Sequence, residues 1–270
     1  MDGGTAIPLP TDKILARIGD GIGWLTFNQP EKRNAISLSM WEGVTAAARA
    51  FAADGSVRVV VMHGAGGKAF ASGADISEFE TSRNSAAAED EYRRIGSVAR
   101  AALQDMDKPI IAMVQGYCVG GGCATALQAD LRIATPDSRF GIPAARLGVA
   151  YATESLARLV ALVGPAVAKD IMFTGRLLTA AEAQAAGLIN QVVEADAIEA
   201  TVAGIAGRIA ANAPLTIRHA RAAIDMLAAA SAPRDDARLD AMYRACFDSE
   251  DFREGRTAFM AKRPPVFRGV

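Results

Sequence analysis

The chain has 270 residues, 51% of them apolar, and its 29 basic and 30 acidic side chains leave a net charge of −1. That balance offers no basic excess or stripe for nucleic acid, and Cys118, Cys123 and Cys246 have neither metal-ligand spacing nor an even disulfide set, as suits a reducing cytosol. No window reaches the ~18 uninterrupted apolar residues of a membrane span, and Met1-Asp2-Gly3-Gly4 lacks the basic start of a signal peptide, so a soluble cytoplasmic protein is expected.

Residues 1–12, with Pro8 and Pro10, read as a flexible leader. Ile14 to Arg17 and Ile22 to Phe27 are short β-like runs around Gly19-Asp20-Gly21, a hairpin signal. Ser39 to Ala53 has helical apolar spacing. Val57 to Met62 is a near-continuous β-branched run, the mark of a strand buried on both faces. A Gly-rich loop is expected from Gly64 to Gly73. Glu89 to Met106 predicts an amphipathic helix that stops before Pro109, and Pro109 to Val114 a second buried strand. A helix over Gly120 to Leu127 and a strand over Leu131 to Ala134 follow. Beyond Thr153 the pattern is mostly helical, with a short strand at Leu188 to Val193. Strands alternating with helices imply an α/β fold, with a core over 13–210 and a helical region over 211–270.

Two Gly-rich segments each follow a buried strand: Gly64 to Lys68, and Gly116 to Gly122. Neither is a phosphate cradle. The P-loop pattern would put Gly where Met62 stands and Ser or Thr where Ala69 stands, and G-x-G-x-x-G fails at both. Three glycines at a helix start do leave N–H groups open to close approach, with the helix dipole favouring negative charge there. Joined by an N–H from another loop, one of them would make an oxyanion hole. A tight turn against a neighbouring strand is the alternative use.

Taken together, Lys68-Ala69-Phe70-Ala71-Ser72-Gly73-Ala74-Asp75-Ile76, Lys108 to Ala112 and Gly116 to Cys123 resemble the crotonase (enoyl-CoA hydratase/isomerase) superfamily. Pro30 to Ala35, Phe140 to Pro143, Leu147-Gly148, Phe173 to Gly175, Thr179 to Ala183, Gly187 to Ile189 and Ala258 to Pro264 fit it as well, in order along nearly the whole chain. The resemblance implies a spiral of ββα repeats with a helical C-terminal region, assembled as a homotrimer or a dimer of trimers. It implies an acyl-CoA substrate, with coenzyme A part of that substrate rather than a separate cofactor. The thioester oxygen would sit between the backbone N–H groups of Ala74 and Gly121. Lys32 and Arg33 lie where the family contacts the coenzyme A phosphates and adenine region, with Ala35, Ala71 and Ile76 around the adenine and pantetheine. Phe259 and Lys262 match positions that help close that site. Gly73, Asp75, Tyr117, Val119, Gly120, Pro143, Ala144, Arg146 and Leu147 complete the implied substrate-binding set.

The two glutamates of the family's hydratases, one to activate water and one to protonate Cα, fall on Ala124 and Ala144. Methyl groups move no protons. Tyr151 stands in Leu147-Gly148-Val149-Ala150-Tyr151, a string similar to that of methylmalonyl-CoA decarboxylases of the superfamily, although their His is Ala74 here. Such an enzyme needs an oxyanion hole but no base at Cα; the other use of Tyr151 is a packed aromatic with its hydroxyl on a backbone group. Arg146 could pair with a substrate carboxylate or simply be solvated. Glu154 could act in catalysis or suit the start of a helix, and Asp75 reads as a helix N-cap. His63 and His219 read as structural, Cys118 and Cys123 as small packing residues, and no metal site is legible. The reading is an enoyl-CoA hydratase-like lyase. A malonyl-type-CoA decarboxylase using Tyr151 and a non-catalytic acyl-CoA carrier are its rivals.

Overall fold

The computed structural model describes residues 4–75, 86–147, 151, 153–228 and 236–270. Its first strands are β1 (Thr5–Ile7), β2 (Ile14–Gly19) and β3 (Ile22–Phe27). The expected leader is corrected here: Thr5 to Ile7 pair antiparallel with β2, from Thr5 opposite Ile18 to Ile7 opposite Ala16. β2 and β3 join through Asp20 and Gly21, both at positive φ (53° and 76°), the geometry that matches hairpin twist in a two-residue turn.

After a 3₁₀ turn at Pro30–Lys32, α1 (Leu38–Ala53) begins on Ser37, whose hydroxyl accepts the Met40 N–H. Then come β4 (Val59–Gly64), β5 (Ala69–Ala71), α2 (Ala86–Gln104), β6 (Ile110–Val114), β7 (Tyr117–Val119) and α3 (Gly121–Ala126). They are followed by β8 (Leu131–Ala134), β9 (Arg139–Gly141), α4 (Ala144–Leu147) and α5 (Thr153–Thr174), which kinks at Gly164 before Pro165. β10 (Leu178–Thr179), α6 (Ala180–Ala185), β11 (Gln191–Val192), α7 (Ile198–Ala211), α8 (Pro214–Ala228), α9 (Asp236–Asp248) and α10 (Glu250–Met260) complete the order. None of these helices is long and apolar enough to cross a membrane.

Three units repeat: β4-β5-α2, β6-β7-α3, and β8-β9 with α4 and α5. The first strand of each enters a seven-stranded sheet of order β1-β2-β3-β4-β6-β8-β11, parallel from β3 onward. The second enters a four-stranded sheet of order β10-β9-β7-β5, in which β5, β7 and β9 run parallel. This is the expected spiral of ββα repeats. The strands of the small sheet are only two or three residues long. β5 and β7 lie inside the Gly-rich segments that were expected to be loops, because runs this short carry no readable period. The strand expected over Leu188 to Val193 shrinks to Gln191–Val192.

Alternation along β4 sends Val60 and Met62 into the larger core with Met40, Trp41, Phe51 and Phe70, and Val59 and Val61 into a second core under α7 with Ile198 and Val202. The large sheet is thus buried on both faces. On the α7 side, His63 bonds Thr26 through Nε2 at 2.9 Å and meets the Trp24 ring edge-on, while Arg17 lies over the same ring. Burial lowers the His63 pKa from 6.5 to about 4. The C-terminal helices reach back to the core through Arg221, whose Nε lies 2.9 Å from Asp130, itself an acceptor for the Ile110 N–H.

The segment 29–37 is laced to the segment 64–75. Asn34 is fully buried in a left-handed conformation (φ 55°) and uses its whole amide. Its Oδ1 accepts the Gln29 N–H at 2.9 Å, and its Nδ2 donates to Ala65 and Ala69 carbonyls at 3.0 and 2.7 Å. Backbone bonds continue the seam, from Ser72 N–H to Arg33 O and from Ile36 N–H to Gly73 O.

Two outcomes follow. Asn34→Ala leaves those buried groups unpaired and gives up a residue that tolerates positive φ, so chemical denaturation should show a loss of about 2–3 kcal/mol; an unchanged midpoint would mean the clamp carries no weight. Because the folded state disfavours protonated His63, its stability contribution is present above pH 6.5 and drains away as pH falls toward 4. Thermal midpoints of His63→Gln should therefore decline less steeply through that window than those of the unchanged protein.

Candidate functional site

Past β5 the chain turns at Gly73, whose φ of 113° is open only to glycine. Ile36 then bridges Ala74 in parallel. The Ile36 N–H donates to Gly73 O at 2.7 Å, and the Asp75 N–H donates to Ile36 O at 3.0 Å. Successive N–H groups of an extended segment point to opposite sides. Since Asp75 faces Ile36, the Ala74 N–H faces away from it, toward α3.

The opposing N–H comes from the glycine triplet, in which Gly120 and Gly122 are required for different reasons. Gly120 adopts φ 54°, ψ −122°, a region reserved for glycine. Gly121 opens α3, so its N–H has no intrahelical acceptor. Gly122 packs on β5, where an added Cβ would fall 2.2 Å from Ala71 O. An added Cβ on Gly121 would stand 3.9 Å from the Ala74 nitrogen, so the two residues are neighbours across the junction. Gly73 and Val119 complete the junction, Val119 O lying 3.5 Å from where a Gly73 Cβ would be. Two converging N–H groups can hold a carbonyl oxygen that gains negative charge.

Gly120 is tied on both sides. Its N–H donates to Gly141 O at 2.8 Å, and its carbonyl accepts from the Ala124 N–H at 3.0 Å and from the Tyr151 hydroxyl at 2.9 Å. Tyr151 thus has the backbone partner that was one of its two expected uses, and burial pushes its pKa well up. Ala124 and Ala144 are both buried. Cys118 and Cys123 are buried free thiols, and burial pushes the Cys118 pKa up.

Asp75 follows the donor directly, but its buried carboxylate is engaged: Oδ2 accepts from Lys32 Nζ at 2.8 Å and Gln29 Nε2 at 3.3 Å. The helix it was expected to cap, and Ile76 with it, lie outside the described residues. Arg33 turns another way. Its guanidinium lies 5.0 Å from the Tyr117 ring centroid, and both line a cavity of about 340 Å³ with Lys68, Asp137 and Arg139. This cavity sits at the N-terminal ends of β5, β7 and β9, whereas the two donors sit past the C-terminal ends of β5 and β7. Lys68, Arg139 and Asn34 were given no role from sequence. Lys68 and Asn34 lie inside quoted motifs and Arg139 next to one, and what each does depends on strand pairing rather than on local pattern.

Ala35 is buried in the seam. Pro143 accepts the Arg146 N–H through its carbonyl, and the Arg146 side chain lies exposed against Gly175. Glu154 falls in α5, Leu147 in α4 and Phe259 in α10, and their side chains lie outside the described residues. Lys262 is exposed just past α10, at φ 52°. His63 belongs to the α7 face of the large sheet, as its structural reading required.

A family model described as enoyl-CoA hydratase/isomerase matches residues 17–270. The chain is 32% identical over 256 residues to a crotonyl-CoA hydratase of Syntrophomonas wolfei, covering 95% of this chain and 98% of that one. It is likewise 32% identical over 245 residues to the 2,3-dehydroadipyl-CoA hydratase of Escherichia coli, covering 91% and 94%. Among solved structures, an enoyl-CoA hydratase/carnithine racemase from Magnetospirillum magneticum superposes with a TM-score of 0.92 at 40% identity, over 97% of both chains. With the spiral, the glycine junction and these relatives in agreement, the chain belongs to the enoyl-CoA hydratase/isomerase family.

Proposed function

We propose that the chain is a hydratase-like lyase acting on coenzyme A thioesters, with the thioester oxygen held between the N–H groups of Ala74 and Gly121. The observation that supports this reading is that Gly121, at the start of its helix, stands beside Ala74, on the opposite side from the Ile36 bridge. Addition of water to an α,β-unsaturated thioester puts electron density on that oxygen as the enolate forms, and removing one such donor from an enzyme typically costs about 3–4 kcal/mol. The names of the relatives support the same substrate class.

The rest of the coenzyme has a fitting partner in the cavity of Arg33, Lys68 and Arg139, because clustered cations suit phosphate oxygens. Lys68 lies six residues before Ala74, at most about 20 Å of extended chain, a span that a pantetheine arm can follow. Lys32 takes part less directly, by fixing Asp75 beside the donor. Phe259 and Lys262 remain assigned to closing the coenzyme site. Assembly as a trimer or dimer of trimers, a cytoplasmic location and a place in fatty acid metabolism belong to the same proposal. Exposed Phe173, Ile224 and Leu227 suit assembly.

Proton transfer is the unusual part. The positions matching the two glutamates hold Ala124 and Ala144, so water addition proceeds here without that acid–base pair. The decarboxylase alternative assigned Tyr151 to a substrate carboxylate; its hydroxyl is instead committed to Gly120 O. The carrier alternative differs from both in having no turnover.

Kinetics with crotonyl-CoA and methylmalonyl-CoA, beside calorimetric affinity for butyryl-CoA, distinguish the readings. The expected result is slow hydration of crotonyl-CoA, accelerated by about 10²–10⁴ in an Ala124→Glu/Ala144→Glu variant, the usual contribution of placed acids and bases. Tight binding with no turnover of either thioester would leave the carrier reading. Fast decarboxylation of methylmalonyl-CoA without hydration would replace the hydratase reading with the decarboxylase one.

A further inference from the structure

Each of the two proposed donors is one end of a peptide unit whose other end is hydrogen-bonded. In a trans peptide the carbonyl of one residue and the N–H of the next point in opposite directions within one plane. The Ala74 N–H shares its peptide with Gly73 O, and that oxygen accepts from the Ile36 N–H at 2.7 Å. The Gly121 N–H shares its peptide with Gly120 O, which accepts from the Ala124 N–H at 3.0 Å and from Tyr151 Oη–H at 2.9 Å. A bond received at the carbonyl does two things to the N–H behind it. It fixes the rotation of the peptide plane, and it polarises the unit so that the N–H becomes a stronger donor.

The two braces differ in kind. The Ile36 brace is backbone, and any residue but proline at that place can supply it. The Tyr151 brace is a single phenol, on a ring packed against the main core. It adds to the backbone bond from the Ala124 N–H, at a residue with φ 54° and ψ −122° and no side chain of its own. We infer that Tyr151 is a positioning residue for the oxyanion hole, its hydroxyl orienting and polarising the Gly120–Gly121 peptide so that the Gly121 N–H meets the thioester oxygen. This rests on the reading of Ala74 and Gly121 as the oxyanion donors. It gives Tyr151 a role in any reaction at that thioester without contact with the reacting atoms.

The test uses the full chain and a chromophoric ligand, the para-dimethylaminocinnamoyl thioester of coenzyme A, whose absorbance shifts to the red as its carbonyl is polarised. In the unchanged protein the bound ligand shifts. In Tyr151→Phe the shift should fall by about half, and kcat for crotonyl-CoA should fall about tenfold with little change in KM. That loss stays below the 10²–10³ that follows removal of a whole oxyanion donor. Tyr92→Phe is the comparison, since the Tyr92 hydroxyl donates to Ile36 O at 3.1 Å, on neither donor peptide. It removes a hydrogen-bonded, part-buried phenol hydroxyl as well, and it should leave the spectral shift intact.

A full red shift and unchanged kcat in Tyr151→Phe would overturn the inference and leave the oxyanion reading standing. Equal losses of shift in both variants would also overturn it, by showing general loosening rather than an effect on one peptide. Calorimetric binding without any red shift in the unchanged protein would remove the oxyanion reading and the inference with it.

Discussion

The hydrogen bond from the Ile36 N–H to Gly73 O, 2.7 Å long, joins the two segments on which the site depends. It makes a short parallel bridge of Ile36 and Ala74, and so decides which way each successive N–H beyond β5 points. With Asp75 turned to Ile36, Ala74 must turn to α3. The Asn34 clamp, the left-handed Arg33 and Asn34, and the Lys32–Asp75 pair all hold that register. On the other side, contact between Gly122 and Ala71 O sets how closely α3 approaches β5. The proposed donors, Ala74 and Gly121, are therefore placed by strand pairing and by the absence of side chains.

This explains why the fold, and the two segments proposed to carry the donors, were legible from sequence while much else was not. Val59 to Met62 and Ile110 to Val114 are long enough to show their burial, and the glycine triplet after a strand has few structural uses. The small sheet was missed because β5, β7, β9 and β10 are too short for a period. Thr5 to Ile7 looked loose because its partner, β2, is what makes it a strand. The pairing of Asp75 with Lys32 and Gln29 was not legible, because those partners are more than forty residues away in the chain. Tyr151 was left with two uses, and its bond to Gly120 O could not be read from sequence because the partner lies 31 residues away.

A site built from backbone has a consequence for how the family varies. Under the proposed reading, side chains around the donors, Ala124 and Ala144 among them, can change without removing the hole. The scaffold would then supply a place for a thioester oxygen that takes on charge, and the pocket side chains a route for protons. The brace at Gly120 lies between these levels, a side chain acting on the backbone donor itself.

The most direct check of this account is nuclear magnetic resonance of protein labelled with ¹⁵N at alanine and glycine, titrated with butyryl-CoA. If the thioester oxygen sits between the two peptides, the amide protons of Ala74 and Gly121 should move downfield together and saturate with calorimetric binding. Saturable binding that leaves both resonances in place would contradict it.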